Sequence, residues 1–372
     1  MDKKQPASPI IELPPSRDIL LPGNIHLISD IVTQSDGALP GLAQPRGGGI
    51  APLGIPLLPA DQVVPRDMRF GRYRRIASRL PTYLADAVEN PSWLLMFALG
   101  RFTPIRRVYR RRHPRARLAV HGDTLFQGID LRETLARLED DGLAPNFALP
   151  KPVVDEVHDF TKRTPCFGNF DRRMAFYPDD HATAEARYAR PLLTGQYFDS
   201  VERCDAVTRI RRDPALQAVA SAYLGPQAKP SATRLWWSFP TRPHESDLHL
   251  ASQDRFHFDL DDWQTLKFFF YLTAVDQSAG PHVFMRGSHR AHALRHQLTL
   301  LVGHPIAAVV TAYGADNLAV ITGDRGFSFA EDPFGFHMGI SPRRAARLML
   351  EVAFGVSDFS RRRFYGEPII VK

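Results

Sequence analysis

A chain of 372 residues is longer than one average domain but suits a single large β domain with extensions. Its 44% apolar content can fill a sizeable core. Two cysteines, Cys166 and Cys204, are too few for a disulfide framework, so a reducing, cytoplasmic setting is the expectation. The formal charge of +7 is local: residues 66–117 hold fourteen Arg against Asp67, Asp86 and Glu89, or +11, which leaves −4 for the rest. The overall basicity is therefore no argument for nucleic acid.

Residues 1–65 are rich in Pro and Gly and carry no helical or strand period, which predicts an irregular leader. The first residues, Met1 to Pro6, lack the apolar core of a secretory signal. Residues 66–117 read as an Arg-rich helical segment. An apolar helix opens at Pro91 near a capping Asn90 or Ser92, and the run Arg106, Arg107, Arg110, Arg111 and Arg112 follows. The apolar stretch 93–99 is far too short to span a bilayer. The segment reads as a solvated basic face packed beside the main domain, its arginines in water. Attachment to an anionic membrane surface or to nucleic acid are the sharper alternatives.

Residues 118–372 form the main domain, with a helical N-terminal part. Leu131, Leu135 and Leu138 recur at helical spacing, 152–161 places Val153, Val154 and Val157 on one face, and 217–224 ends at Gly225-Pro226. Beyond Ala232, strand signals dominate: 233–239, 265–275, 283–285, 307–312, 317–322, 326–330 and 348–354. Short strands at this spacing predict a mainly β domain with flanking helices (α+β), a sandwich or jelly roll.

The chemistry-bearing residues lie in this β region. His257 and Asp259 are two apart, so an extended strand turns both side chains to one side, and they directly precede the long apolar strand at 265–275. His337 follows eighty residues later, enough chain to circle a jelly roll and return. Two imidazoles and a carboxylate can occupy one face of a metal, as in 2-His-1-carboxylate iron sites. Arg347, ten residues past His337, opens an apolar run, and a buried guanidinium requires an anionic partner such as a carboxylate. Ser341, Lys267, Gln253 and Tyr271 are weaker candidates for a co-substrate site. Arg234, Trp236, Trp237 and His282 are candidates for a substrate pocket, with the two Trp on opposite faces of a strand. His244, Glu245 and Asp247 read as a solvated loop.

Three pieces occur in a recognisable order: 253–259 (QDRFHFD), 280–289 (GPHVFMRGSH) and 332–339 (DPFGFHMG) running on to Arg347. Together they resemble the phytanoyl-CoA dioxygenase superfamily of Fe(II)/2-oxoglutarate-dependent oxygenases over roughly residues 131–356. The resemblance implies a double-stranded β-helix (jelly roll, cupin-like) with His257, Asp259 and His337 as iron ligands and Arg347 as the 2-oxoglutarate anchor. It implies Fe(II), 2-oxoglutarate and O2 as cofactor and co-substrates, and hydroxylation of a C–H bond of a small-molecule substrate with release of succinate and CO2. One departure is Arg286, where the family often has Pro. Asp259 stands where halogenating relatives have a small residue, so chloride ligation is disfavoured. A catalytically silent jelly-roll binding protein is the alternative. No nucleic-acid partner is expected, and a weak anionic-membrane contact through 66–117 stays open.

Overall fold

The computed structural model describes residues 25–27, 88, 90–113, 115–145, 147–242, 255–298, 303–357 and 359. Within them the strands are β1 (Ile25–Leu27), β2 (Leu143–Pro145), β3 (Cys166–Gly168), β4 (Ala175–Phe176), β5 (Thr194–Gln196) and β6 (Lys229–Ser238). They continue with β7 (Thr265–Tyr271), β8 (His282–Met285), β9 (Leu318–Ile321), β10 (Ser328–Glu331), β11 (His337–Gly339) and β12 (Arg347–Gly355). The major sheet has the order β2-β10-β7-β12-β6-β5-β3-β4, and the minor sheet β1-β9-β8-β11. Every pairing is antiparallel. An isolated bridge between His257 and His337 places the 256–257 stretch beside β11 at the minor sheet's free edge.

From β6 onward the chain winds between the two sheets. It runs from β6 (major) through His257 (minor) to β7 (major), then to β8 and β9 (minor), β10 (major), β11 (minor) and β12 (major). This is a double-stranded β-helix flanked by helices, the fold class expected from the sequence.

Strand periodicity sorts the side chains into layers. Leu266, Phe268 and Phe270 of β7 and Leu348, Leu350, Val352 and Phe354 of β12 face outward. There they pack against helices that include Lys151–Arg163 and Pro214–Leu224. Phe269, Tyr271 and Met349 point inward, against Phe284, Ala319 and Ile321 of the minor sheet. Because β7 is covered on both faces, its sequence is apolar on both and does not alternate, with Lys267 as the inward exception. Phe268 is fully buried, and truncating it to Ala would cost about 3–5 kcal/mol. Helix starts follow local chemistry: Asp130 accepts from the Arg132 and Glu133 N–H groups, and Asp213 accepts from Ala215 N ahead of Pro214.

Three expectations need revision. Residues 307–312, read as a strand, lie in the helix Ile306–Tyr313. Its Val309-Val310 pair mimics a strand, but Pro305 and Gly314 bracket it, and Val309, Val310 and Tyr313 pack on the outer face of the minor sheet. The leader contributes a strand, because Ile25–Leu27 pairs with the otherwise open edge of β9. The basic segment forms the helices Pro91–Leu99 and Thr103–Arg112, but its arginines do not all stay in water. The Arg106 guanidinium lies 4.0 Å over the Phe334 ring, and that of Arg110 lies 4.6 Å over Tyr223.

Candidate metal centre

The backbone builds this site before the side chains enter. His257 N donates to His337 O and His337 N to His257 O, both at 2.9 Å, so the two residues are directly opposed. Directly opposed residues put their side chains on the same face, and their rings lie 4.3 Å apart. Two residues on, Asp259 N donates to Pro333 O (2.8 Å), which returns the carboxylate to that face.

One ligand atom from each of His257, Asp259 and His337 lies within 4.8 Å of the others, and no other such group occurs among the described residues. His257 Nε2 is 4.0 Å from Asp259 Oδ1, and His337 Nε2 is 3.7 Å from Asp259 Oδ2. The Nδ1–H of His337 donates to Gly335 O (2.9 Å), and that of His257 to Arg255 O (3.3 Å). Each bond fixes a tautomer whose Nε2 is a bare lone pair turned toward Asp259, the usual orientation for metal-ligating imidazole.

Electrostatics complete the ligand chemistry. Burial pushes the His337 imidazole down to about 4, helped by the neighbouring His257, and burial likewise lowers His257. Both are neutral at pH 7, the form that binds metal. Burial alone would raise the Asp259 carboxyl, but Lys267, His337 and His257 outweigh it and hold it well below the usual carboxylate range. Lys267 Nζ is 2.6 Å from Asp259 Oδ2, 3.2 Å from Asp261 Oδ2 and 3.7 Å from Glu351 Oε1.

The remaining candidates are spread around the interior. Lys267, considered for co-substrate binding, sits on the metal-facing carboxylate. His282, considered for the substrate pocket, stands behind His337 with ring centroids 5.6 Å apart, and its Nε2 shares a hydrogen bond with Glu331 Oε2 at 2.8 Å. Burial raises Glu331 to about 7. Arg347 is buried, donating to Gly280 O and, at 3.4 Å, to Ser238 Oγ. Ser341 is buried in the segment that passes Gly280, whose φ is +78° and whose missing Cβ would collide with Ile340 O. Tyr271 Oη donates to Ile321 O (2.8 Å). Trp236 faces the interior, with the Arg234 guanidinium 4.8 Å over its ring and 3.7 Å from Glu351 Oε2. Trp237 faces the helices and donates to Tyr197 Oη at 3.2 Å. Gln253, His244, Glu245 and Asp247 lie outside the described residues.

Sequence reasoning missed Asp261, Glu331, Glu351 and Thr194. A signal existed for the first three, because a Lys inside an all-apolar strand must find buried carboxylates. Thr194 lies opposite Ser238, which lies opposite Arg347, so the three form one polar row across β5, β6 and β12. All three are buried, and Thr194 Oγ1 has no hydrogen-bond partner among the described residues.

No protein-family model and no curated protein matches this chain. Solved structures do resemble it. The non-heme alpha ketoglutarate dependent epimerase SnoN from nogalamycin biosynthesis aligns at TM-score 0.42 and 15% identity, covering 60% of this chain and 80% of its own. EctD from S. alaskensis with bound Fe aligns at 0.43 and 17%, covering 69% and 91%. HygX from Streptomyces hygroscopicus with nickel, 2-oxoglutarate and hygromycin B aligns at 0.43 and 14%, covering 64% and 92%. These are remote likenesses.

Proposed function

We propose that the chain is an Fe(II)- and 2-oxoglutarate-dependent oxygenase of the phytanoyl-CoA dioxygenase type, hydroxylating a C–H bond of a small molecule with formation of succinate and CO2. One observation carries the reading. Two imidazoles, each with Nδ1 tied to a backbone carbonyl, and one carboxylate meet within 4.8 Å on a single interior face. Three protein ligands on one face leave the remaining positions for exchangeable groups, the signature of non-haem Fe(II) oxygenases.

The donor set fits the co-substrate as well. Arg347 offers a planar fork suited to a carboxylate, and Gly280 and Ser238 hold that guanidinium in place. The unpartnered Thr194 Oγ1 in the same row supplies a further hydroxyl for a carboxylate oxygen. Iron, when bound, supplies the activation of dioxygen by 2-oxoglutarate decarboxylation. The chain's own part is to present two neutral imidazoles and an ionised carboxylate, to anchor the far carboxylate, and to exclude water. Phe269, Phe329 and Phe284 wall the interior on the other sides.

The test is iron-dependent formation of succinate from 2-oxoglutarate by the purified protein. We expect turnover in the wild type and none in Asp259→Ala. Wild-type turnover in that variant refutes the assignment. Retained 2-oxoglutarate binding with no succinate under any metal or substrate condition leaves the catalytically silent binding protein.

A further inference from the structure

Asp259 lies in loop, and His337 opens a short strand with loop on its N-terminal side. Asp259 follows the single His257–His337 bridge, and β11 is only three residues long, His337–Gly339. A metal site needs its ligands held to within roughly 0.5 Å, and loops alone do not supply that.

The bracing comes from outside the barrel. Phe258, between the two N-terminal ligands, packs edge-on against Phe334, three residues before His337, with centroids 5.5 Å apart. The His292 ring lies 4.5 Å from Phe258 and stacks on Phe334 at 4.1 Å, tying the pair together. The Arg106 guanidinium lies 4.0 Å over that same Phe334 ring. Its Nη1 donates to Asp262 O, three residues past Asp259, at 3.3 Å, and to Gly100 O in its own segment at 3.3 Å. One helical turn along, the Tyr109 ring stacks on Trp263 at 5.2 Å and 10°. The base of the helix is pinned by Thr103 N to Gln297 Oε1 (3.2 Å) and His292 N to Thr103 Oγ1 (3.2 Å). The far side of the 258–263 loop is fixed in turn, because Asp262 Oδ2 accepts from Val356 N (2.8 Å) and Ser357 N (2.7 Å) at the end of β12.

We propose that the helix Thr103–Arg112 is a brace for the metal centre and that Arg106 is its positioning residue, setting the separation of Asp259 from His337 without touching metal or substrate. The inference rests on the metal-site reading above. It gives the basic segment a task that its charge pattern alone did not suggest. A guanidinium is suited to this post, because it can lie flat on an aromatic ring while donating in its own plane.

The test measures Co(II) binding to the full-length protein by titration and by the d–d absorption envelope, with no turnover needed. Arg106→Met should keep the far-UV circular dichroism of the wild type, weaken Co(II) binding roughly tenfold and alter the envelope, as loss of supporting contacts does at other metal sites. Arg106→Lys should keep part of the affinity that Arg106→Met loses, and Arg111→Ala, on the exposed face, should leave wild-type affinity unchanged. Wild-type affinity and spectrum in folded Arg106→Met overturn the proposal. Should that variant not fold, Tyr109→Leu removes the Trp263 stack and, within the helix end, the stack on His113. A severalfold loss of Co(II) affinity there supports the brace, and an unchanged affinity overturns it. If the wild type shows no Co(II) affinity that Asp259→Asn removes, the metal centre itself falls and the brace with it.

Discussion

Asp259→Asn separates ligation from folding, because the structure makes different demands on the two. The substitution keeps the shape and removes the charge. Lys267 then loses a partner at 2.6 Å but keeps Asp261 at 3.2 Å and Glu351 at 3.7 Å. Stranding a buried charge costs about 3–5 kcal/mol, but Lys267 is not stranded. The loss should therefore be nearer that of one charge-assisted hydrogen bond, about 1.5–3 kcal/mol. A metal that binds only the folded state adds about 2.7 kcal/mol at about a hundredfold excess over Kd. Denaturant titrations in chelator and in Co(II) resolve the two quantities. We expect the variant to be modestly less stable in chelator and to gain almost nothing from Co(II), whereas the wild type gains the full increment. An undiminished Co(II) increment in the variant would falsify Asp259 as a ligand. A loss in chelator well above about 5 kcal/mol would refute the compensation by Asp261 and Glu351.

Other outcomes follow from the same interior. Arg347→Ala should raise the 2-oxoglutarate requirement by tenfold or more, about 1.4 kcal/mol, and Arg347→Lys should restore only part, checked by the co-substrate dependence of succinate formation. Burial holds His282 at about 3 and His289, His296 and His337 at about 4, below the ordinary 6.5. The unfolded chain therefore takes up protons first as the pH falls, and stability present above pH 6.5 is lost between 6.5 and about 4, by up to about 1.4 kcal/mol per pH unit for each group. Glu331, raised to about 7, acts oppositely, adding stability below its unfolded value that is lost as the pH rises through 7. Asp261, which burial raises to about 6, acts with Glu331; two carboxyls against four histidines leave net acid lability, and a flat melting temperature of metal-free protein from pH 7 to 4.5 would contradict it. Finally, Arg107, Arg111 and Arg112 are exposed beside Val108, and we propose that they give weak, salt-sensitive adhesion to anionic vesicles. Co-sedimentation that survives their replacement by Gln would point elsewhere.

The sequence was legible where periodicity and chemistry agree. The runs at 265–275 and 348–354 are too apolar and aromatic to be anything but strands of a buried sheet, and the two-residue step from His257 to Asp259 sets their common face whatever the fold. Elements settled by partners were not legible. β2, β3, β4 and β5 span two or three residues each, too few to show a period, and exist because β6, β10 and each other offer open edges. Ile306–Tyr313 carries strand-like side chains, and its caps and its seat on the minor sheet outvote them. The seat of Arg106 on Phe334 was invisible because nothing in a run of arginines marks which one meets an aromatic ring more than two hundred residues away.

The charged lining of the barrel bears on whether this is an enzyme or a silent pocket. Lys267, Asp261, Glu331 and Glu351 are all nearly inaccessible to solvent, and buried ion pairs of this kind are often replaceable by apolar residues at no loss of stability. A fold selected only to persist, or to hold a small apolar ligand, gains nothing from such an array. It becomes intelligible around a metal. Lys267 keeps the Asp259 carboxylate ionised and oriented, Glu331 and His282 back the His337 ring, and Glu351 links Lys267 to Arg234 at the edge of the interior. The charge is concentrated within one residue's reach of the three proposed ligands, whereas the outward positions of β7 and β12 are Leu266, Phe268, Phe270, Leu348, Leu350, Val352 and Phe354. That asymmetry marks the centre as a place where one carboxylate is held in one charge state and one orientation, which a metal ligand requires and simple storage of an apolar ligand does not.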